Sequence, residues 1–175
     1  MNTTNIQRYL ESFGKYVVKQ SRTILSKKKK NVTKELYNSI KFQVDNNADG
    51  MSVKFFMADY GKFVDKGVSG NKKIQEYKTW KGKRVESPYK YTSKMPPPSI
   101  LSKWVKKRGL KGRDQKSGRF ITNLSLAYIL ARKIKRDGIK GISFFQRPLE
   151  LALKHFGEDY LDAFKQDIIE SIKTT

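Results

Sequence analysis

Net charge constrains this chain more than any other feature. Thirty-eight Lys and Arg stand against sixteen Asp and Glu, a formal +22, and that much like charge opposes compaction unless anions or acidic partners relieve it. The expected neighbour is therefore nucleic acid, an anionic membrane surface or an acidic protein surface. Charge alone does not choose among them, and part of the Lys excess serves only to solvate a surface. A hydrophobic fraction of 37% with 12% aromatic residues suffices to fold the chain but leaves a thin core. At 175 residues one domain is expected, with a core over about 1–67 and 139–175 and a basic excursion over about 68–138.

The excess is unevenly placed. Residues 96–143 hold thirteen Lys and Arg against two Asp, a net of +11, whereas 144–175 hold four against six Asp and Glu, a net of −2. The basic face thus lies mid-chain, and the acidic final segment suits a basic surface of its own chain or of a neighbour. There is no Cys, which excludes disulfides, thiolate metal sites and thiol nucleophiles together. Arg8, Glu11 and Lys15 interrupt the opening stretch, so neither a signal peptide nor a membrane span is expected.

Ile6, Leu10, Phe13, Val17 and Ile24 recur at helical spacing after the capping residues Thr3, Thr4 and Asn5, predicting a helix over 4–27. A helical turn around 33–37 follows. Ile40, Phe42 and Val44, then Met51, Val53 and Phe55, alternate with polar residues on either side of Asn46-Asn-Ala-Asp-Gly50, predicting a hairpin over 39–57. Tyr60, Phe63 and Val64 lie on one side of a short docking helix that Gly67 stops,. Residues 68–95 mix Lys, Gly, Ser and Tyr without a period and read as a long loop.

Pro96-Pro-Pro98 opens a helix over 99–108 carrying Ile100, Leu101, Trp104 and Val105,. After a basic loop over 112–118, Thr122 or Asn123 caps a helix to Asp137. It turns Leu124, Tyr128, Ala131 and Ile134 or Ile129 inward and Arg132, Lys133, Lys135 and Arg136 outward,. Gly138 and Gly141 bracket its exit. Ile142-Ser-Phe-Phe145 suits a third strand or a buried linker, and Pro148 marks a first helical turn,. The last helix then carries Leu149, Leu153, Phe156, Tyr160, Phe164, Ile168 and Ile172 as one apolar stripe.

Lys103, Lys106, Lys107, Arg108, Lys111, Arg113, Lys116 and Arg119 surround Trp104, a pattern that grips phosphates while an indole stacks on a base or a partner. Because Trp104 shares its face with Ile100 and Leu101, burial of the indole is the expectation, and the basic residues then form a solvated face. Lys27–Lys30 reads as a solvated helix end. Glu76-Tyr-Lys78, with Asp59 or Asp65, has the residue types of a Mg²⁺ nuclease, but the match is three residues long in a stretch without strand pattern, and chance accounts for it. His155 is the only histidine, so a multi-histidine metal site is excluded, and an exposed or interface histidine is expected rather than a member of a catalytic triad. Gly61, Gly67, Gly70 and Gly82 form no phosphate loop. No catalytic, cofactor-binding or metal site is expected.

Ala58-Asp-Tyr-Gly-Lys-Phe-Val-Asp-Lys-Gly67 after a hairpin, together with Phe144-Phe-Gln-Arg-Pro-Leu-Glu-Leu-Ala152 opening the final helix, resembles the tail-completion and head-tail connector (neck) proteins of tailed bacteriophages. Met95–Gly109, Leu126–Ile134 and Gly138–Gly141 resemble an insertion in longer neck proteins. The similarity spans about 33–67 and 96–165 through short motifs, and the size and charge of 68–143 depart from the family pattern. The resemblance implies an α+β fold, in which a small antiparallel sheet is packed by long N- and C-terminal helices and carries a basic helical insertion. Tyr60, Gly61, Phe63, Val64, Gly67, Phe144, Phe145 and Pro148 would form the core docking motif. It further implies a non-enzymatic virion protein, made in the host bacterial cytoplasm, that forms a cyclic ring of its own copies between portal, connector or tail-tube proteins. Lys103, Lys106, Lys107, Arg108, Arg113 and Arg132 would contact acidic neighbours or passing DNA. The alternatives are a free nucleic-acid-binding protein and, third, the Mg²⁺ nuclease.

Overall fold

The computed structural model describes residues 4–30, 33–47 and 50–173; Thr3 of the first cap and Ala48 and Asp49 of the hairpin turn lie outside them. Helix α1 (Thr4–Lys27) and a short α2 (Glu35–Ser39) precede strands β1 (Lys41–Asn47) and β2 (Gly50–Phe56). Helix α3 (Gly61–Lys66) runs into β3 (Gly67–Val68), followed by β4 (Glu76–Lys78) and β5 (Arg84–Glu86). Helices α4 (Pro98–Lys107) and α5 (Asn123–Asp137), strand β6 (Ile139–Lys140), and helices α6 (Gln146–Leu153) and α7 (Phe156–Lys173) complete the chain. The fold class is α+β. In place of one small sheet there are three separate two-stranded ladders, β1-β2, β3-β6 and β4-β5. Ile142–Phe145 is a linker with Phe144 fully buried, not a strand.

The chain divides into two compact units. The first comprises the described residues up to Gly61, with 78–83 and those from Ser143 on; the second comprises 62–77 and 84–142. The expected 68–138 excursion falls mostly in the second unit, which begins earlier, ends later and returns 78–83 to the first.

In the first unit α1 is the centre. Ile6, Leu10, Phe13, Val17 and Leu25 are buried along it, and the pattern's Ile24 stays half-buried beside Leu25. The antiparallel hairpin pairs Phe42 with Phe55 and Val44 with Val53, so β1 and β2 turn the same face to α1. Val44, Met51 and Val53 pack against Ile6, Leu10 and Ala163. Phe13 meets Phe55 at 6.3 Å and Phe156 at 5.1 Å between ring centroids. Gly14 is buried because the Phe42 ring lies directly on the α1 backbone there, where a Cβ would overlap it.

The predicted single C-terminal helix is two helices, broken at Lys154–His155. Its stripe also fails beyond Tyr160. Residues four apart advance about 40° around a helix, so Phe164, Ile168 and Ile172 walk off the face that holds Phe156 and Tyr160. The positions that stay beneath are Ala163 and Asp167, both buried. Asp167 accepts hydrogen bonds from Asn5 N (2.9 Å), Asn5 Nδ2 (2.9 Å) and Ile6 N (3.1 Å). A carboxylate from the last helix therefore caps the first turn of α1, where backbone donors are otherwise unpaired and the helix dipole favours negative charge.

In the second unit β3 and β6 pair antiparallel, Gly67 with Lys140 and Val68 with Ile139. The stretch over 68–95 is no structureless loop. Ser69 N donates to Tyr89 O and Tyr91 N to Ser69 O, while Asn71 N and Lys72 N donate to the Lys135 and Arg136 carbonyls at the end of α5. Gln75 is buried, its Nε2 donating to Asp137 O at 2.7 Å. Long-range main-chain bonds order this segment, which is why no side-chain period announces it.

Candidate interaction surface

The second unit carries the basic and aromatic residues singled out above. Pro97 stands at the N-cap of α4 and Pro98 inside its first turn, where a missing N–H costs nothing. Val105 is fully buried, and α4 packs against α5 through Ala127 and Ala131, also fully buried. Two alanines at this contact let the helices approach closely, so the larger residues fall elsewhere. Ile100 keeps 65% and Trp104 40% of its surface exposed, and on α5 Leu124, Tyr128 and Ile129 are exposed as well. The expectation of a core Trp104 and of an inward Leu124 and Tyr128 is thus reversed, whereas Ala131 is buried and, of the alternatives Ile134 and Ile129, Ile134 is half-buried and Ile129 exposed.

Lys103, Lys106 and Lys107 are exposed around the indole. Lys103 and Lys107 are one turn apart, on the side of α4 away from Val105. Arg108, half-buried at the C-cap, places its guanidinium carbon 5.8 Å from the Trp104 ring centroid. Beyond Gly109, Arg113 bridges to Phe120 and stands 4.6 Å over its ring, with Lys111 Nζ at 5.8 Å. Phe120 is exposed, so these cations lie on aromatic faces that water reaches. Arg132 is exposed on α5. All six predicted contact residues belong to this unit, five of them on α4 and the loop that follows it.

The loop tip owes its shape to Asp114, whose carboxylate accepts from Ser117 N (2.8 Å), Ser117 Oγ (2.9 Å) and Lys116 N (3.1 Å). The bond from the Ser117 backbone, then that from its hydroxyl, hold this carboxyl below the ordinary carboxylate value. A depressed folded value means that the turn keeps its support above the ordinary Asp range, near 3.9, and loses it as pH falls through the lower value. The Ser117 amide proton resonance is expected to stay fixed from neutral pH down to that range and to move only below it. Titration at or above the ordinary value would contradict the turn geometry.

The docking motif is divided between the units. Tyr60 and Gly61 fall in the first, where Tyr60 is exposed and Gly61 is buried against Leu36 and Met57. Phe63, Val64 and Gly67 fall in the second. Phe63 keeps a 37% exposed edge while its ring meets Tyr89 edge-on at 4.6 Å. Val64 O accepts from Ile142 N, and Gly67 is buried at φ 78°. In the first unit Phe144 and Pro148 are fully buried and the Phe145 ring meets Phe55 at 5.4 Å. Tyr60 and Phe63 are thus exposed, whereas Phe144 and Pro148 are buried and Phe145 is half-buried.

Glu76 and Lys78 lie on β4, a strand the sequence pattern did not disclose, and Lys78 Nζ is 3.0 Å from Glu150 Oε1. Among the described residues no three His, Cys, Asp or Glu stand close enough to hold a metal ion, and no helix is long and apolar enough to cross a membrane. His155 is exposed, 3.9 Å from Glu158. The first unit holds a further feature that sequence did not flag, a groove of about 860 Å³ between α1 and the segment from Tyr37 to Phe42. Comparison of the chain with protein-family models, curated proteins and solved structures finds no match.

Proposed function

We propose that this chain is a non-catalytic structural subunit of the neck of a tailed bacteriophage, one of a ring of copies at the head-tail junction between portal and tail. The observation that carries the proposal is the outward turn of Ile100, Trp104, Leu124, Tyr128 and Ile129 amid a surface dense in Lys and Arg. Large apolar and aromatic side chains held in water are the residue types of a protein interface. The cationic surround selects acidic neighbours by complementarity. The motifs at 58–67 and 144–152, which resemble those of neck proteins, support this reading. In this reading the subunit is made in the host bacterial cytoplasm and resides in the virion. Its neighbours are other copies and portal, connector or tail-tube proteins, with DNA passing nearby.

A second reading is favoured by one specific observation, the pairing of Arg108 with Trp104 and of Arg113 and Lys111 with Phe120. Such pairs also occur where single strands stack on aromatic platforms. The two readings separate in one experiment on the purified chain and on phage particles. A structural subunit appears in particles at fixed copy number, and Trp104→Ala with Lys103→Glu and Lys107→Glu, all at exposed positions, lowers that number at least tenfold (about 1.4 kcal/mol). A free nucleic-acid binder instead shifts DNA tightly at low salt, releases it steeply as salt rises, and is absent from particles. The second outcome would overturn the proposal.

A further inference from the structure

We infer that the α1 groove of one copy receives the exposed face of α7 from a second copy, a head-to-tail contact that rests on the assembly reading above and names the segments that make it. The groove is lined by five cations, Lys15, Lys19, Arg22, Lys27 and Lys41, and no carboxylate lines it; at its base Val18 and Ile40 are buried and the half-buried Phe42 and Tyr37 rings present the apolar surface. Arg22 is fixed in place, Nε donating to Tyr37 O at 3.0 Å and its terminal nitrogen to Ile40 O at 2.9 Å. Its guanidinium carbon lies 5.2 Å from the Tyr37 ring centroid. Lys15 has one exposed partner one turn back, Glu11 at 3.6 Å. A concave apolar floor with a cationic rim takes an amphipathic acidic helix.

The chain itself displays such a helix. Leu161, Phe164, Ile168 and Ile172 follow one another along α7 and all are exposed, Ile172 by 71%. Glu158 and Asp162 edge this face and are exposed; Asp162 has a surface partner in Lys165 at 3.2 Å. Within a chain of +22, residues 156–173 hold five Asp and Glu against two Lys. The dimensions agree as well. From Leu161 to Ile172 the helix rises about 17 Å, and from Lys15 to Lys27 α1 rises about 18 Å. The α7 of the same copy is engaged elsewhere, Asp167 capping the first turn of α1 and Ala163 packing on Ile6 and Leu10. Groove and helix face are different surfaces of one chain, so the contact is heterologous and propagates from copy to copy.

The test uses two full-length variants that change exposed side chains only. Ile168→Lys with Ile172→Lys disables the helix face and leaves the groove; Lys15→Glu with Lys19→Glu disables the groove and leaves the helix. Sedimentation velocity at low salt is expected to show wild type self-associating, with association falling as salt rises. Each variant alone should associate at least tenfold more weakly. A one-to-one mixture should form a heterodimer that grows no further, because one intact helix meets one intact groove. A monomeric wild type, a mixture that stays monomeric, or a groove variant that associates like wild type would overturn the inference. So would a groove variant that loses only binding to a short DNA duplex. Incorporation into particles keeps the two proposals apart. A groove variant found in particles at wild-type copy number removes the α7 contact and leaves the neck reading standing, whereas a wild-type chain absent from particles removes the neck reading itself.

Discussion

Replacing Asp167 with Ala is expected to cost the first unit roughly 3–5 kcal/mol, because two backbone donors of α1, Ile6 N in a buried bond and Asn5 N in a part-buried one, lose their acceptor and each such loss costs about 1–3 kcal/mol, with the favourable carboxylate–dipole interaction going too. The Asp167 side chain is fully buried and no acidic residue occupies the first turn of α1, so nothing else in that turn supplies negative charge. Asp167→Asn keeps one acceptor oxygen and should lose about half as much. The chain has two tryptophans, Trp80 in the first unit and Trp104 in the second. Urea unfolding followed by fluorescence in a Trp104→Phe background therefore reports the first unit by itself. The midpoint should fall at unchanged m. A change below about 0.5 kcal/mol, the size of an ordinary surface substitution, would mean that the cap contributes nothing.

Gly138→Val is expected to be at least as damaging to the second unit. Two pairs of glycines, Gly67 with Gly141 and Gly70 with Gly138, let the segment around β3 and the segment around β6 lie backbone on backbone. A Cβ on Gly67 would stand 2.5 Å from Gly141 N and 2.6 Å from Ile139 O; one on Gly138 would overlap Val68 O and stand 2.6 Å from Gly70 N. Gly138 also has φ 78° and ψ −169°, a region essentially confined to glycine, where a side chain costs about 1–3 kcal/mol before any clash. With overpacking of about 1–3 kcal/mol the sum is roughly 2–6 kcal/mol, read by Trp104 fluorescence in a Trp80→Phe background. Gly109→Ala is the control: φ is 63° and nothing lies within 4 Å of its Cβ position, so only about 1 kcal/mol is expected. Equal losses at the two sites would refute the close approach.

These two predictions mark where the sequence was legible and where it was not. The period-3.6 face of α1, the alternation in the hairpin, the cap at Thr122, whose side chain accepts from Ser125 N, and the bounds of α4 and α5 were all readable, since each rests on local spacing and caps. The C-terminal stripe was misread because a run of residues four apart looks apolar-faced while rotating out of the core, and the sign of that rotation is a buried Asp, which no hydrophobic pattern reveals. Of the expected inner faces of α4 and α5, Val105 and Ala131 are buried and Ile134 is half-buried, whereas Trp104, Leu124 and Tyr128 are exposed, because small residues occupy the buried positions of α5. The 68–95 segment was invisible because main-chain bonds to α5 carry it. The basic residues around Trp104 were legible by type, but their exposure, which makes them a surface, needed the fold. The groove on α1 arises from residues up to 27 positions apart, from Lys15 to Phe42, and has no sequence signature.

The central claim is that uncovered apolar faces on a strongly cationic chain are surfaces for assembly into a particle, with no turnover of substrate among them. Imaging of particles produced without this subunit tests it most directly. The account predicts filled heads that lack joined tails, or heads that leak their DNA, with the defect reversed when the purified wild-type chain is added. Particles of normal form, with tails attached and DNA retained, would contradict it.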